Sequence, residues 1–265
     1  MPLGERRRRA STVRSVSRLR TERLELRPLV PSDFARWNEV RERCRDWLEE
    51  WEPRPPASTP DPSRDPQAFA NRCRVRERER SMGTAFDFGL WHEGWFCGEI
   101  NVSHVARGAF QSAHVGYWID ERLAGKGLVA EGLLAVFGFA FDQVGLHRVQ
   151  VSIMPRNTAS LRVVEKLGLR SEGIAQGYIQ IAGVWEDHER FGLTLEEWRT
   201  RREEMAARLR ASRLGRTPPA PGTDARSGAK PGTGRGTGSD VGAGDEYDSA
   251  ALGSRSQSSG SASQS

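Results

Sequence analysis

The spacing of hydrophobic and polar positions changes several times along the chain, and each spacing predicts a different element. Residues 23–27 alternate between polar and apolar side chains, which is typical of a strand. Residues 32–33 then give an N-cap signal for a helix with one apolar face. A second, shorter helix is expected around residues 47–51, and a polar, arginine-rich helix around residues 65–81.

The rest of the chain alternates short strands with helices. Residues 85–91 and 96–103 predict a hairpin that turns at residues 92–94. The later pattern predicts a strand over 112–119, a helix over 129–144, a strand over 148–153, a helix over 157–167, closing strands near 171–180 and 184–194, and an amphipathic helix over 195–210. Antiparallel strands that lead into a β-loop-α-β unit indicate an α/β protein with a mixed sheet.

The two ends differ in composition from the middle of the chain. Residues 217–265 are rich in glycine, serine and proline, and Tyr247 is their single aromatic residue. Such a segment cannot bury enough apolar surface to offset its conformational entropy. We therefore expect a basic disordered arm over residues 1–20, a folded domain over 21–198, a basic C-terminal helix over 199–216 and a disordered tail over 217–265.

The net charge of +5 is concentrated in the flanking segments. Residues 1–20 carry seven arginines against one glutamate, and residues 196–216 carry seven arginines against four glutamates. The domain between them is slightly acidic, which suits a basic acceptor molecule. The basic flanks could contact nucleic acid, although no aromatic residues interleave the arginine run at 6–9 as base stacking would require.

The cysteine content and the hydropathy exclude several protein classes. Cys44, Cys73 and Cys97 are odd in number and lack metal-ligand spacing, which argues against a disulfide scaffold and against zinc. No apolar run approaches the roughly 18 residues of a membrane span. The basic start lacks the apolar region of a secretory signal. We expect a cytoplasmic protein with no metal cofactor and no membrane contact.

A glycine-containing loop lies between a predicted strand and a predicted helix, with the sequence R-L-A-G-K-G-L-V-A-E over residues 122–131. Gly125 and Gly127 would let backbone amides approach a phosphate closely at a helix N-terminus. Their spacing fits neither a Walker loop nor a dinucleotide-binding fingerprint. An ordinary strand-to-helix turn is the alternative interpretation.

This loop, which follows a strand ending in G-Y-W, resembles the acetyl-CoA pyrophosphate loop of the GNAT N-acetyltransferase superfamily. R-N-T-A-S at 156–160, L-G-L at 167–169 and E-G at 172–173 resemble the RimJ/RimL branch, as does W-E-D-H at 185–188 with L-T at 193–194 and E-W at 197–198. W-E-P at 51–53 and the segments 83–90 and 101–117 resemble more specifically the RimJ type, the ribosomal-protein-alanine N-acetyltransferases. The resemblance covers residues 21–198.

The resemblance implies a mixed, mostly antiparallel sheet with a central splay between its fourth and fifth strands, flanked by helices on both faces. The pantetheine arm of acetyl-CoA would lie in that splay. The implied acetyl-CoA site comprises Tyr117, Trp118, Ile119, Arg122, Leu123, Gly125, Lys126, Gly127, Leu128, Val129, Asn157 and Ser160. Asn157 could instead serve only as a helix N-cap, and Arg122 could simply be exposed.

The resemblance also suggests catalytic and acceptor-binding residues. Ser160 would protonate the departing thiolate, although a helix hydroxyl often bonds to the preceding turn instead. A base used by RimL enzymes falls on Ile179 here, so Glu99 and His114, on strands facing the cleft, are the candidate proton acceptors. Trp47 and Trp51 would form a substrate wall, and core packing is their alternative role.

We expect acetyl transfer from acetyl-CoA to the N-terminal α-amine, with alanine as the expected residue, of a ribosomal or other protein. The amine would attack directly in a ternary complex, because no cysteine has an ordered histidine partner. An α-amine has a pKa near 8 rather than 10.4, so a dedicated base is dispensable.

Three alternatives stay open at this stage. The acceptor could be a small amine such as an antibiotic or a polyamine. The domain could be a relic within a ribosome-binding or rRNA-binding protein that uses its basic flanks. The protein could be a monomer or a homodimer.

Overall fold

The computed structural model describes residues 18–54, 58–213 and 215. Its centre is an eight-stranded sheet in the order β1-β2-β3-β4-β5-β6-β8-β7. The strands are β1 (Leu19–Arg20), β2 (Leu24–Arg27), β3 (Phe86–His92), β4 (Trp95–Ala106), β5 (Ser112–Ile119), β6 (Arg148–Ile153), β7 (Arg170–Ile181) and β8 (Val184–Thr194). Within the described residues, β5 and β6 run parallel and all other neighbouring strands run antiparallel.

Helices cover both faces of this sheet. They are α1 (Phe34–Arg43), α2 (Arg45–Glu49), α3 (Pro66–Met82), α4 (Leu128–Gly138), α5 (Thr158–Leu167) and α6 (Leu195–Arg213). Buried side chains of α4, α5 and α6 form the larger core with one face of the sheet. A second core lies between α1–α3 and the opposite face, next to β3 and β4. No helix of the described part of the chain is long and apolar enough to cross a bilayer.

The predicted elements agree with this architecture, with three differences. The helix predicted over 129–144 is α-helical only as far as Gly138, and a π-helical turn, Phe139–Gln143, follows it. Asp33 does not cap α1 with its side chain but binds Arg27 across 2.7 Å. Leu19–Arg20 pair with β2, so the predicted disorder of residues 1–20 does not hold for this strand.

The predicted domain boundaries can be placed only in part. Helix α6 continues across the boundary predicted between residues 198 and 199, and Met205 and Leu209 pack in the larger core. Residues 1–17 of the predicted arm and the predicted tail over 217–265 lie outside the described residues.

The sheet parts between β5 and β6. The two strands pair through Ser112–His114 on one side and Arg148–Gln150 on the other, and no pairing joins them beyond these residues. β5 continues along β4 to Ile119, and β6 continues along β8 to Ile153. The separated halves leave backbone N–H and C=O groups of both strands facing the gap, where they need partners.

Gly98 keeps the far end of β5 close to β4. A Cβ atom at this position would lie 2.3 Å from the carbonyl oxygen of Trp118. A side chain there would therefore push β5 away from its only antiparallel neighbour along the gap.

Replacing Gly98 by alanine should destabilise the protein by about 2 kcal/mol, because the added methyl group meets backbone rather than a movable side chain. Urea unfolding measures the loss. Gly116→Ala is the matched control in the adjacent strand, since a Cβ there meets nothing within 4 Å. Equal stability of the two variants would contradict this account of the β4–β5 contact.

Candidate functional site

A cavity of about 520 Å³ lies at the opening between β5 and β6. Its walls come from α2 and the turn after it, the end of β5, the loop that leads into α4 with the first turn of α4, and one face of α5 as far as Lys166. The predicted residues that line it are Trp47, Trp51, Tyr117, Trp118, Ile119, Leu123, Gly125, Gly127, Leu128, Val129, Asn157 and Ser160. The fold therefore brings together segments that are more than 100 residues apart in sequence.

The loop that leads into α4 depends on its two glycines. Gly125 and Gly127 have φ angles of 77° and 76°, in the left-handed region that other residues rarely adopt. Gly127 is the N-cap of α4, so the first turn of that helix opens onto the cavity. Unpaired amides and the helix dipole at such a terminus favour an anionic ligand.

The beginning of this loop is anchored by Asp120. Its Oδ1 accepts from the backbone N–H of Arg122 at 3.0 Å and from Nη1 of Arg43, in α1, at 2.7 Å. Its own N–H donates to the carbonyl oxygen of Cys97 at 2.7 Å. Burial opposes the charge on Asp120, but the hydrogen bonds from Arg43 and Arg122 outweigh it and hold the pKa below its ordinary value.

The end of the loop is anchored by Arg23 and Glu131. Arg23 Nε donates to Oε2 of Glu131 at 2.7 Å, and its Nη1 donates to the carbonyl oxygen of Lys126 at 3.1 Å. Thr21 Oγ1 donates to Oε1 of Glu131 at 2.6 Å. Burial would raise the pKa of Glu131, but these hydrogen bonds lower it overall. The loop is thus tied at both ends to the segment 21–43.

The first turn of α5 forms another wall of the cavity. Asn157 Oδ1 accepts from the backbone N–H of Ser160 at 3.0 Å. Asn157 is therefore the N-cap of α5, which was the alternative to its expected role in binding acetyl-CoA. The Tyr117 hydroxyl donates to the Ser160 carbonyl oxygen at 3.2 Å, and burial raises the pKa of Tyr117. Within the described residues, the Ser160 hydroxyl has no protein partner and stays available to a ligand.

Glu99 does not occupy the position predicted for it. Its side chain faces α1 and α3, is 1% exposed, and accepts from Nε1 of Trp37 at 2.7 Å and from Arg72. Burial disfavours its charge, but the charge and hydrogen bond of Arg72 lower its pKa overall. Glu99 does not line the cavity, so its prediction as a cleft-facing residue was wrong.

His114, Arg122 and Lys126 also have no side chain in the lining of the cavity. His114 lies at the last paired position of β5 before the gap, with its ring 5.4 Å from that of His104. Burial lowers the pKa of His114, and nearby cationic side chains lower it further. Arg122 and Lys126 are exposed and contribute to the loop through their backbone, while their side chains do not line the cavity.

Sequence reasoning missed several charged residues of the cavity. Arg162 and Lys166 lie one turn apart on α5, a spacing that places both on one face of a helix and that was visible in the sequence. Arg156 pairs with Glu186 at 3.0 Å, and its guanidinium lies 5.4 Å from the Trp51 ring.

The cysteines lie away from this cavity. Cys44, Cys73 and Cys97 are buried, and burial raises the pKa of Cys73 to about 11 and that of Cys97 to about 12. A thiol with such a pKa is not a nucleophile at neutral pH. The described residues also contain no group of side chains that could hold a metal ion.

Comparison with known proteins identifies the family. Residues 23–170 match the family model of the acetyltransferase (GNAT) domain, which is more than half of the chain. The chain belongs to the GNAT acetyltransferases. This confirms the fold class and the kind of enzyme expected from the sequence motifs.

Individual relatives agree with the RimJ/RimL resemblance. The chain is 33% identical over 183 residues to the [ribosomal protein uS5]-alanine N-acetyltransferase of Escherichia coli, which covers 68% of this chain and 92% of that protein. It is 40% identical over 106 residues to "Probable N-acetyltransferase YjcK" of Bacillus subtilis, which covers 39% of this chain and 59% of the length of YjcK. The structure of Mycobacterium smegmatis RimJ in complex with CoA-disulfide is 30% identical, with a TM-score of 0.65, and covers 71% of this chain and 88% of that one.

Removing the Arg23–Glu131 pair, which anchors the end of the loop that leads into α4, should destabilise the protein. Arg23→Gln removes the nearer counter-charge of Glu131, which is 5% exposed, and leaves it only Arg213 at 3.9 Å among the described residues, so we expect a loss of about 2 kcal/mol. Urea unfolding measures the loss of unfolding free energy. Arg20→Gln is the control, because Arg20 is exposed and lies 3.9 Å from its nearest carboxylate.

The stabilisation by the Arg23–Glu131 pair should depend on pH in a defined direction. Because the pKa of Glu131 is lowered from 4.5, the stabilisation is present above pH 4.5 and is lost as the pH falls toward the lower folded-state pKa. The difference in unfolding free energy between wild type and Arg23→Gln should therefore shrink in acid. A difference that is constant down to pH 3 would refute the pairing as its source.

Proposed function

We propose that this protein transfers an acetyl group from acetyl-CoA to the N-terminal α-amine of a protein, with an alanine of a ribosomal protein as the foremost acceptor. The observation that carries the proposal is the cavity at the β5–β6 opening, whose walls differ in chemistry from one end to the other. The relative from Escherichia coli is named for this acceptor, and the Mycobacterium smegmatis RimJ structure contains a CoA species.

The residues of the cavity fit an anionic, extended co-substrate. The amides of Gly125 and of residues 127–129 suit a pyrophosphate at the N-terminus of α4, whereas those of Leu123, Ala124 and Lys126 already donate to carbonyl oxygens of the same turn. Arg162 and Lys166 suit a further phosphate group. The unpaired edge of β5 from Tyr117 to Ile119 suits the amide groups of a pantetheine arm, to which Asn157 could add its side-chain amide.

Acetyl transfer joins the amine nitrogen to the acetyl carbon and breaks the carbon–sulfur bond, while the amine loses one proton and the sulfur gains one. Acetyl-CoA supplies the activated thioester. A backbone N–H near Trp118 or Ile119 would polarise its carbonyl, and the Ser160 hydroxyl would donate the proton to the sulfur. Transfer would be direct, because no cysteine lines the cavity.

Removal of the proton from the amine does not require a strong base. An α-amine with a reference pKa near 8 is partly neutral at physiological pH. Glu99 is engaged by Arg72 and Trp37, which leaves it poorly suited as a proton acceptor. His114, which its lowered pKa keeps neutral, could act only through water because it does not line the cavity.

The proposal includes ribosome or rRNA contact through the basic flanks, but with fewer arginines than the flanks contain. Arg201 of α6 donates to the carbonyl oxygen of Gly168 at 2.8 Å, and Arg213 pairs with Glu22 at 2.8 Å. Part of the charge of α6 therefore serves the fold. Arg199, Arg202 and Arg210 of α6 are exposed and, with the arginines at 6–9, which lie outside the described residues, are the candidates for docking in the cytoplasm.

Peptides that begin with alanine should release CoA from acetyl-CoA in the presence of the protein, because Trp47 and Trp51, the expected substrate wall, line the same cavity as the residues that suit the co-substrate. Thiol release is followed with a chromogenic disulfide, and mass spectrometry locates the acetyl group. The same peptides blocked at the N-terminus are the control. Thiol release with antibiotics or polyamines but with no peptide would replace the proposed acceptor with a small amine.

Ser160→Ala should lower kcat by about 10²-fold and leave KM for the peptide nearly unchanged, because a proton donor acts in the transition state rather than in binding. Steady-state kinetics with an alanine-initiated peptide test this. Ser152→Ala is the matched control, since Ser152 lies on β6 outside the cavity lining. Unchanged kcat in Ser160→Ala would remove Ser160 from the mechanism.

A further inference from the structure

Charge is divided unequally over the walls of the cavity. The cationic side chains of its lining, Arg156, Arg162 and Lys166, all follow β6 in sequence, and two of them belong to α5. Glu52, in the turn after α2, is the single carboxylate among the described residues that line the cavity. The cationic wall attracts a phosphate-bearing co-substrate, whereas Glu52 can only accept hydrogen bonds and offers nothing to a phosphate, so this carboxylate belongs to another part of the reaction.

Glu52 is held rigidly. Nη1 and Nη2 of Arg41 donate to Oε1 and Oε2 of Glu52, each at 2.7 Å. The Arg41 guanidinium lies 5.0 Å from the ring of Trp118, which also lines the cavity beside the opening of the sheet. Arg41 thus fixes the carboxylate relative to β5. Each carboxylate oxygen keeps a second lone pair for another donor.

The surroundings of Glu52 suit an ammonium group. Trp47 and Trp51 line the cavity, and aromatic faces attract cations. The Trp51 ring already has the Arg156 guanidinium 5.4 Å away, which leaves the Trp47 ring for an ammonium group. The N-terminal amine of a peptide is mostly protonated at pH 7, because its reference pKa is near 8. Arg41 neutralises Glu52 before the acceptor arrives, so the half-buried carboxylate is not left without a counter-charge.

The other acidic residues near the cavity are already used. Glu99 is enclosed by Trp37 and Arg72. Glu50 and Glu186 both pair with Arg156, and Asp120 pairs with Arg43. None of these four carboxylates lines the cavity.

We infer that Glu52 is the acceptor-binding carboxylate: it receives the α-ammonium of the incoming N-terminus and holds its nitrogen near the β5–β6 opening until water takes the proton. The inference rests on the proposed function and assigns the residue by which the enzyme recognises a free N-terminus. Specificity for free α-amines then depends on the Arg41–Glu52 pair rather than on a proton acceptor in the sheet.

The test compares Glu52→Gln, which keeps the size of the side chain, with Glu49→Gln, an exposed glutamate of α2 outside the cavity lining. Steady-state kinetics use an alanine-initiated peptide, and calorimetry measures the affinity for CoA. Glu52→Gln should raise KM for the peptide about tenfold or more, because it removes a charge-assisted hydrogen bond, and should leave the CoA affinity unchanged. Glu49→Gln should match wild type in both.

A second measurement separates recognition from a structural role. Binding to the enzyme–CoA complex is measured for the alanine-initiated peptide and for the same peptide with propionyl in place of the alanyl residue, which lacks the amine. Wild type should prefer the peptide with the amine, and Glu52→Gln should lose this preference. If Glu52→Gln fails to bind CoA, Glu52→Asp is measured instead, and its retracted carboxylate should give a raised KM with CoA binding intact.

The outcomes distinguish the two proposals. If wild type acetylates the peptide while the glutamine variant keeps the same KM and the same preference for the amine, the role of Glu52 is overturned and the proposed function stands. If wild type binds CoA but acetylates no peptide N-terminus, the proposed function is overturned together with this inference.

Discussion

The separation of β5 from β6 is the constraint on which the site depends. The strands pair over three register positions and then part, while each stays bonded to its outer neighbour. Backbone groups along the gap cannot be satisfied by the sheet itself, which favours a ligand able to pair with a strand edge. The cavity, the end of β5 and the N-termini of α4 and α5 all meet at this opening.

The loop before α4 contains glycines and is held in place by ion pairs to other parts of the chain. Left-handed glycines permit the turn but supply no side chains to hold it. The protein compensates with ion pairs between partly exposed arginines and buried carboxylates: Arg43 binds Asp120 at one end, and Arg23 binds Glu131 at the other. Because a buried charge left alone is costly, these pairs couple the order of the loop to the folding of β2 and α1.

Helix α6 shows how a basic segment can serve the fold. Arg201 and Arg208 donate to the carbonyl oxygens of Gly168 and Glu165 at the C-terminal end of α5. Cations at this end oppose the negative pole of the helix dipole. The arginines thereby stabilise the helix whose other end presents Asn157 and Ser160 to the cavity.

The sequence by itself determined most element positions and the outline of the loop. Strands 112–119 and 148–153 were predicted with both ends correct, because alternation with period two reports directly which residues lie in a strand. The order of the motifs likewise predicted the family. Local spacing and motif order are properties of the chain alone.

Only the tertiary structure decided which charged side chains meet. Glu99 lies on a predicted strand and was expected in the cleft, but Arg72 of α3 and Trp37 of α1 enclose it on the opposite side. Glu131 finds its partner Arg23 at a separation of 108 residues. Periodicity assigns a residue to a face of its element but not to a partner on another element, because that choice depends on how helices and strands pack across the whole sheet.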